Sequence, residues 1–530
     1  MNELASDRAS EKNQTSIRYR RLRAPKTHGS SLQDPPLNNS SALLAENKQI
    51  SLTPEWEQIR NQARGEIQEA AQKYTRQYRD VDQSTRDAST VIMSGHQPSL
   101  FHPGVWFKNF SLSHLGKKHN ALAINLVVDN DICGVAALRV PFMENQKARF
   151  QLLPIDQPGD NIPFEARRIE DVSFFKEFNT RASKAIKPLI DAPLVNQLWP
   201  QVVQHVDDSA TGSVLGAAFS KGRHQLEGQH GLDTLEIPIS SVARTSSFAS
   251  FVKLIASDIP RFQKIYNSVL VEYRNDHKIR SRSHPVPELD RNDGWFESPF
   301  WIWNAEHPIR SSLYFQTSEK TITASDLRSF KTEVPVADFE QCWTELADKG
   351  IAIRPKALMT TMFARLALSD LFIHGIGGSK YDQLTNAIIE KYFGIQPPHF
   401  ITLTASMKLT TDWEAVNRDA VNEKKHRLRE LTFQPERFID PANVAATDAI
   451  ELKKKWISDS SEDRLHRHKQ IEMANNRLQP FVQSQREVVL SDLQQIKSQM
   501  RTSQVLGSRE YSFCLHSQEL VEGLKAMIDS

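Results

Sequence analysis

Apolar residues in this chain fall into short runs separated by polar turns, and two periodicities alternate along it. Val91-Ile92-Met93 is a continuous apolar run, as expected of a buried strand beginning near Ser89. From Val105 to Leu115 the apolar positions, with Trp106, Phe107, Phe110 and Leu112 among them, follow helical spacing. A second buried run spans Ala121 to Val128 and ends in Asp129-Asn130-Asp131. Strand, turn, helix, strand is a βαβ unit with this strand as the first of the sheet. Its right-handed crossover brings the Asp129–Asp131 end beside the turn that follows the first strand. Upstream, residues 54–79 read as a polar helix with Trp56, Ile59, Ala63, Ile67 and Ala71 on one face. Downstream come a helical insertion over about 163–231, a strand at Leu235 to Ile239, and one long helix or two between Phe248 and Ile279. A Pro-rich joint, His284-Pro285-Val286-Pro287, precedes an aromatic cluster of Trp295, Phe296, Phe300, Trp301 and Trp303.

A second strand-turn-helix segment follows. Met359 to Ser369 has helical spacing, Leu371-Phe372-Ile373 is β-prone, and His374-Gly375-Ile376-Gly377-Gly378-Ser379 is a glycine-rich turn. It leads into a helix from Tyr381 to Phe393, with Ser379 as N-cap and Gly394 as C-cap. Toward the C-terminus, Val482, Val489 and Ile496 recur every seven residues, with Leu493 and Met500 four later, interrupted by Arg486. A polar helix from about Leu452 to Leu478 meets this seam at Gln479-Pro480, where proline is expected to end or kink it. The organisation predicted is a disordered tail over 1–50, an α/β core over 51–410, an antiparallel coiled-coil hairpin within 411–506, and a return to the core over 507–530.

Composition narrows the class. The chain has 530 residues, 39% hydrophobic and 25% charged, which suits a globular protein of two or three structural units. A net charge of +2 gives no basis for a nucleic-acid or membrane surface. The three cysteines are far apart, without a CxxC pair, and suit a reducing compartment. No apolar stretch approaches the ~20 residues of a membrane span, and the N-terminus has no signal-peptide core. A cytoplasmic location is the expectation.

The chemistry concentrates in two turns. Residues 94–108 put Gly95, His96, Gln97, His102 and Lys108 around one strand-to-helix turn, and the βαβ crossover adds Asp129 and Asp131 from the neighbouring strand end. Carboxyl ends of strands are where α/β sheets bind ligands. The bland alternative is that the two aspartates cap a following segment and that His102 merely starts its helix. In the second turn, Gly375, Gly377, Gly378 and Ser379 at a helix start form an anion site in outline, beside His374 and Tyr381, with Arg354 or Lys380 adding charge. Glycines placed there for tight packing explain the same pattern. Arg274, His277, Arg280 and His284, spaced for one helix face, read as an acidic-ligand site or as a solvated face.

Gly95-His96-Gln97 with Gly104 and Lys108, the acidic strand end, Arg354-Pro355, the glycine-rich turn with Tyr381, and Pro397-Pro398 occur in an order that resembles the bacillithiol biosynthesis cysteine-adding enzyme family, over roughly residues 85–530. The run from His96-Gln97-Pro98 through Phe101-His102-Pro103-Gly104 to Lys108 is also similar to WbqC-like proteins. The resemblance implies a Rossmann-like core ending in a coiled coil, and a ligase joining cysteine or another amino acid to an amino-sugar conjugate such as glucosaminyl-malate. His96, Gln97, His102, Asp129 and Asp131 would then be the catalytic set, with Gly95, Lys108, Arg354, His374, Gly375, Gly377, Gly378, Ser379 and Tyr381 holding substrate. ATP is left open as cofactor, no metal is called for, and a homodimer through the coiled coil is allowed. His96 stands where that family has glutamine, and the glycine-rich turn lacks its glutamate. A nucleotide-dependent WbqC-like transferase and a non-catalytic scaffold remain the alternatives.

Overall fold

The computed structural model describes residues 21–81, 86–145, 147–207, 212–410, 418–459 and 463–529. They divide into two compact units, one made of the chain up to Arg139, Leu152–Lys408 and the segment from Arg509, the other of Val140–Gln151 and Leu409–Ser508.

The first unit is mixed α/β, built on a sheet of β1 (Ser30–Asp34), β2 (Asp87–His96), β3 (Ala121–Val127), β4 (Leu235–Pro238), β5 (Leu371–His374) and β6 (Phe400–Ser406). Their order across the sheet is β1-β6-β5-β2-β3-β4. The strands from β2 to β6 are parallel to their neighbours, and β1 is an antiparallel edge. The chain winds from β2 outward through β3 to β4, then crosses back to the other side of β2 for β5 and β6. The winding direction therefore reverses between β2 and β5.

Strand β2 is central, not the first of the sheet, and it is buried over most of its length because strands lie on both sides of it. The helix Pro103–Lys118 packs on the sheet, with Trp106, Phe107, Leu112 and Leu115 fully buried. At the opposite, N-terminal edge of the strands, Asp370 binds the Val91 amide at 2.8 Å and is gripped by Arg60 and Arg64 from the helix Pro54–Thr75. That pairing locks helix, β2 and β5 together.

Several expectations need correction. The tail is not disordered over its described part, which begins at residue 21. Its strand β1 pairs with β6 from Ser30↔Ser406 to Asp34↔Thr402, and a helix Ser40–Lys48 buries Leu43 and Leu44. Backbone pairing at a sheet edge needs no apolar periodicity, so polar composition concealed it; residues 1–20 lie outside the described residues. The insertion contains the helices Val172–Lys176, Phe178–Ile186, Val195–Val203 and Leu215–Gln229. The segment between Phe248 and Ile279 forms two helices, Ser246–Ala256 and Ile259–His277. The second ends at Lys278 in the left-handed region (φ 54°), which puts Arg280 and His284 off the helix. Arg274 turns inward, onto the carbonyls of Arg282, His284 and Val286 and the Glu288 carboxylate. The aromatic cluster lies on the strand Trp295–Asn304 of a second, antiparallel sheet, completed by Ser311–Thr317, Thr321–Ser325, Lys331–Pro335 and Ile351–Pro355.

The second unit holds the helices Arg418–Phe433, Val444–Ser458 and Arg464–Leu506. Its core comprises Leu431, Ile439, Ala446, Ala449, Leu478, Val482 and Val489. The hairpin expected at Pro480 does not form. The last helix runs 43 residues through Pro480, and the preceding helix ends before it, at Ser458. Two shorter helices pack against the long one, and this burial outweighs the loss of one backbone hydrogen bond at proline. Among the described residues no helix is long and apolar enough to cross a membrane.

Candidate active site

Strands β2 and β5 end side by side, on His96 and His374. Between their ends lies Lys108, reaching from the second turn of the helix Pro103–Lys118. It is 4% exposed, and among the described residues its ammonium meets one acceptor, the Gly95 carbonyl, at 2.6 Å. A methyl group built on Gly375 would touch the Lys108 side chain at 3.9 Å, so the lysine also lies against the start of the helix Ile376–Ile388. Burial without a carboxylate partner pushes the Lys108 amine down to about 7. A lysine poised between its two protonation states, beside a helix N-terminus, is suited to holding an incoming anion.

The two histidines differ in their partners. His96 is buried against Phe101, with Nε2 3.1 Å from Asn109 Oδ1 and Nδ1 3.1 Å from the Gln97 carbonyl. Burial, then the positive charges of Arg223 and Lys108, hold its pKa well below the ordinary histidine value. His374 binds Asp382 at 2.7 Å, and Asp382 also accepts from Arg365 at 2.6 Å and from the Thr361 hydroxyl at 2.5 Å. Burial lowers His374 although Asp382 opposes it. Burial alone would raise Asp382, but Arg365 and His374 outweigh it and keep the carboxylate ionised. The glycine-rich segment is not a loop. Gly375 is the N-cap, and Gly377, Gly378 and Ser379 form the first helical turn, so Ser379 is not the cap expected. Gly378 is required for packing, since a Cβ there would stand 2.8 Å from His374 Nδ1. Ser379 is buried and accepts from Thr402 at 2.9 Å, Gly377 faces open space, and Tyr381 is half-buried.

The remaining predicted residues form a second group at the end of β3, beside the first turn as the crossover requires: the Val128 amide binds the His96 carbonyl at 2.9 Å, and Gln97 donates to Asp131. Asp129 is buried and accepts from the Ser240 amide and hydroxyl. Burial, then repulsion from Glu165, pushes its carboxyl up to about 7. Arg354 does not reach the glycine turn; its guanidinium forks onto Glu165 at 2.8 and 2.9 Å. His102 starts its helix, with Nδ1 accepting from the Gly104 amide at 3.0 Å and Nε2 3.8 Å from Glu510.

Sequence reasoning passed over the group that positions His96. Asn109 Nδ2 and Trp106 Nε1 both donate to Glu227, at 2.7 and 2.8 Å. Arg223 bridges Glu227 and Glu236 at 2.7 and 2.5 Å, all three essentially inaccessible to solvent. The signal was an Arg–Glu pair at i,i+4 in a helix that also carries Leu215, Ala218, Phe219 and Leu226. His224, Glu227 and Glu236 place one ligand atom each within 4.8 Å of one another. The guanidinium already spans the carboxylates, and His224 already contacts Tyr78 and Thr234 through its two ring nitrogens. The set does not fit a metal.

A pH dependence follows from these histidines. His96, His224, His374 and His516 are buried with lowered pKa values, His516 down to about 3. Below about pH 6.5 the unfolded chain takes up protons there that the fold does not, so stability falls as pH drops, by up to ~1.4 kcal/mol per pH unit per histidine. Asp129 and Glu236, each raised to about 7, act in the opposite sense between roughly pH 4 and 7 and soften the slope. Melting temperature should decline from pH 7 to 5; a flat profile would refute this account.

Neither a known family model nor a curated protein matches the chain.

Proposed function

We propose that this chain is an enzyme of small-molecule metabolism with a Rossmann-like core, forming an amide between an amino acid, cysteine in the first instance, and an amino-sugar conjugate such as glucosaminyl-malate. One observation carries the reading: a buried lysine without a carboxylate partner among the described residues lies between the carboxyl ends of β2 and β5, where the winding of the sheet reverses. Such crevices are the ligand sites of doubly wound sheets. The five parallel strands, numbered in chain order, lie 3-2-1-4-5 across the sheet, counted from β4 to β6, and this supports the Rossmann-like assignment.

Amide formation needs an activated carboxyl, as an acyl phosphate or adenylate, and ATP is the natural source. Lys108 and the N-terminus of the helix Ile376–Ile388 hold the negative charge of the activating phosphate. As the amine nitrogen bonds to the activated carbonyl carbon and the C–O bond to phosphate or AMP breaks, Asp129, titrating near neutrality, is matched to take the amine's proton. His96 and His374 shape the crevice as neutral rings. The exposed Leu465, Met473, Phe481 and Val488 of the long helix support a homodimer through that arm.

The test is incubation of the purified chain with ATP, cysteine and glucosaminyl-malate, with products read by mass spectrometry and ligand-dependent melting in parallel. The expected result is an amide product and a melting shift, both lost in Lys108→Met. A shift with UDP-sugars alone would favour the WbqC-like transferase. No product and no shift from folded protein would favour the scaffold.

A further inference from the structure

A separate cavity of about 410 Å³ opens at the end of β3, within the first unit. Its walls are largely apolar, with Val286, Leu289 and Leu358 and a set of prolines among them, and its polar groups are Asn130, Asp131, Arg310, Lys356, Thr360 and Tyr266. Metabolite pockets have this size and this balance of an apolar wall with a few convergent polar groups. None of the chemistry assigned to Lys108 uses it.

Two features indicate what would fill it. Asn130 is 4% exposed and its orientation is fixed, because Nδ2 donates to the Pro355 carbonyl at 2.8 Å; its Oδ1 is buried without a hydrogen-bond partner among the described residues. A buried acceptor left unmatched costs free energy that a ligand's N–H or O–H would recover. Arg310 lies over the Trp301 ring at 4.8 Å, with Nη1 3.2 Å from the Asn130 carbonyl and 3.3 Å from Asp131. Lys356, paired with Glu297, lies 4.4 Å from the same ring. Arg310, ion-paired with Asp131, and Lys356, ion-paired with Glu297, therefore line the cavity together with an unmatched acceptor, beside an apolar wall.

We infer that this cavity binds a small carboxylate that bears a hydrogen-bond donor, amino or hydroxyl, on the adjacent carbon and an apolar tail. The carboxylate pairs with Arg310 and Lys356, the donor meets Asn130 Oδ1 and Asp131, and the tail covers the proline and leucine wall.

The test uses the full chain and four probes that share one apolar tail: phenylalanine, phenyllactate, 3-phenylpropionate, which lacks the donor, and phenylalaninamide, which lacks the carboxylate. Calorimetric titration should give binding of phenylalanine or phenyllactate, with the other two weaker by about tenfold or more. Whichever of the first pair binds tighter identifies the donor as amine or hydroxyl. Arg310→Met should weaken the preferred probe by at least that factor, and Asn130→Leu should abolish its advantage over 3-phenylpropionate. Lys108→Met should leave this binding unchanged, which separates the pocket from the crevice. Binding of none of the four, equal binding of all four, or an undiminished affinity in Arg310→Met would overturn the assignment. The analogue series on the unmodified protein decides the matter even if a variant folds poorly.

Discussion

Replacing Lys108 with methionine should make this protein more stable while removing its response to ATP. The amine is displaced by burial from 10.5 to about 7, so at neutral pH and below the fold bears a cost that the unfolded chain does not. At ~1.4 kcal/mol per unit this cost is on the order of 5 kcal/mol. Methionine fills similar volume without charge, and the lost hydrogen bond to Gly95 returns about 1 kcal/mol of it. The net gain should be a few kcal/mol. Its pH dependence has a definite sign. Between about pH 7 and 10.5 the unfolded lysine binds a proton that the folded one does not, so the native protein gains stability as pH rises and the variant's advantage shrinks toward zero. Melting curves of both proteins from pH 6 to 10 check this. A variant that is destabilised at neutral pH would mean that Lys108 holds a structural contact beyond Gly95. A gain in stability together with lost ligand response is the pattern of a group retained for function at a cost to the fold.

The second large effect lies one layer deeper. Arg223→Met should destabilise the protein by roughly 3–5 kcal/mol, because it strands Glu227 and Glu236 in a site closed to water. Burial already pushes the Glu236 carboxyl up to about 7. The loss should therefore be smaller at pH 5 than at pH 8, as protonation removes their repulsion. Adding Glu227→Gln and Glu236→Gln to Arg223→Met should recover most of the stability. The site would register the change too. Glu227 holds Asn109 and Trp106, and Asn109 sets the ring of His96. The imidazole signal of His96 should shift in the single variant, measured by NMR, even where the protein remains folded. Full recovery of stability without any change at His96 would show that the network does not position that ring.

How far the chain can be read from its residues depended on the range of the interactions involved. The strand-turn-helix-strand from β2 to β3 was legible because one face or both of each element is buried, and burial leaves a period in the sequence. The helical segment that continues past Ile388 through the π turn Ile389–Phe393 was legible at its end for a local reason: its C-cap Gly394 takes φ 68°. Elements defined by backbone pairing with a distant partner left little trace. Strand β1 carries Ser30, Ser31, Gln33 and Asp34 and is recruited by β6, hundreds of residues away. The glycine-rich turn misled because Gly375, Gly377 and Gly378 suit a loop equally well; in the fold Gly377 and Gly378 lie in a helix, and Gly378 leaves room for His374. Pro480 misled because propensity ranks proline as a breaker, and packing of two helices along Arg464–Leu506 overrode it.

The residues by themselves determined a mixed α/β chain, the strand end at His96, the helix that carries Lys108, and the acidic strand end beside it, since each rests on local spacing and burial. Only the tertiary structure decided which of these groups act together. It placed Lys108 between β2 and β5, diverted Arg354 to Glu165, made His102 a helix cap, and gave His96 its support from Asn109 and Glu227. The physical reason is that the charge state of a buried group depends on its desolvation and on partners far away in the chain, and sequence spacing carries neither.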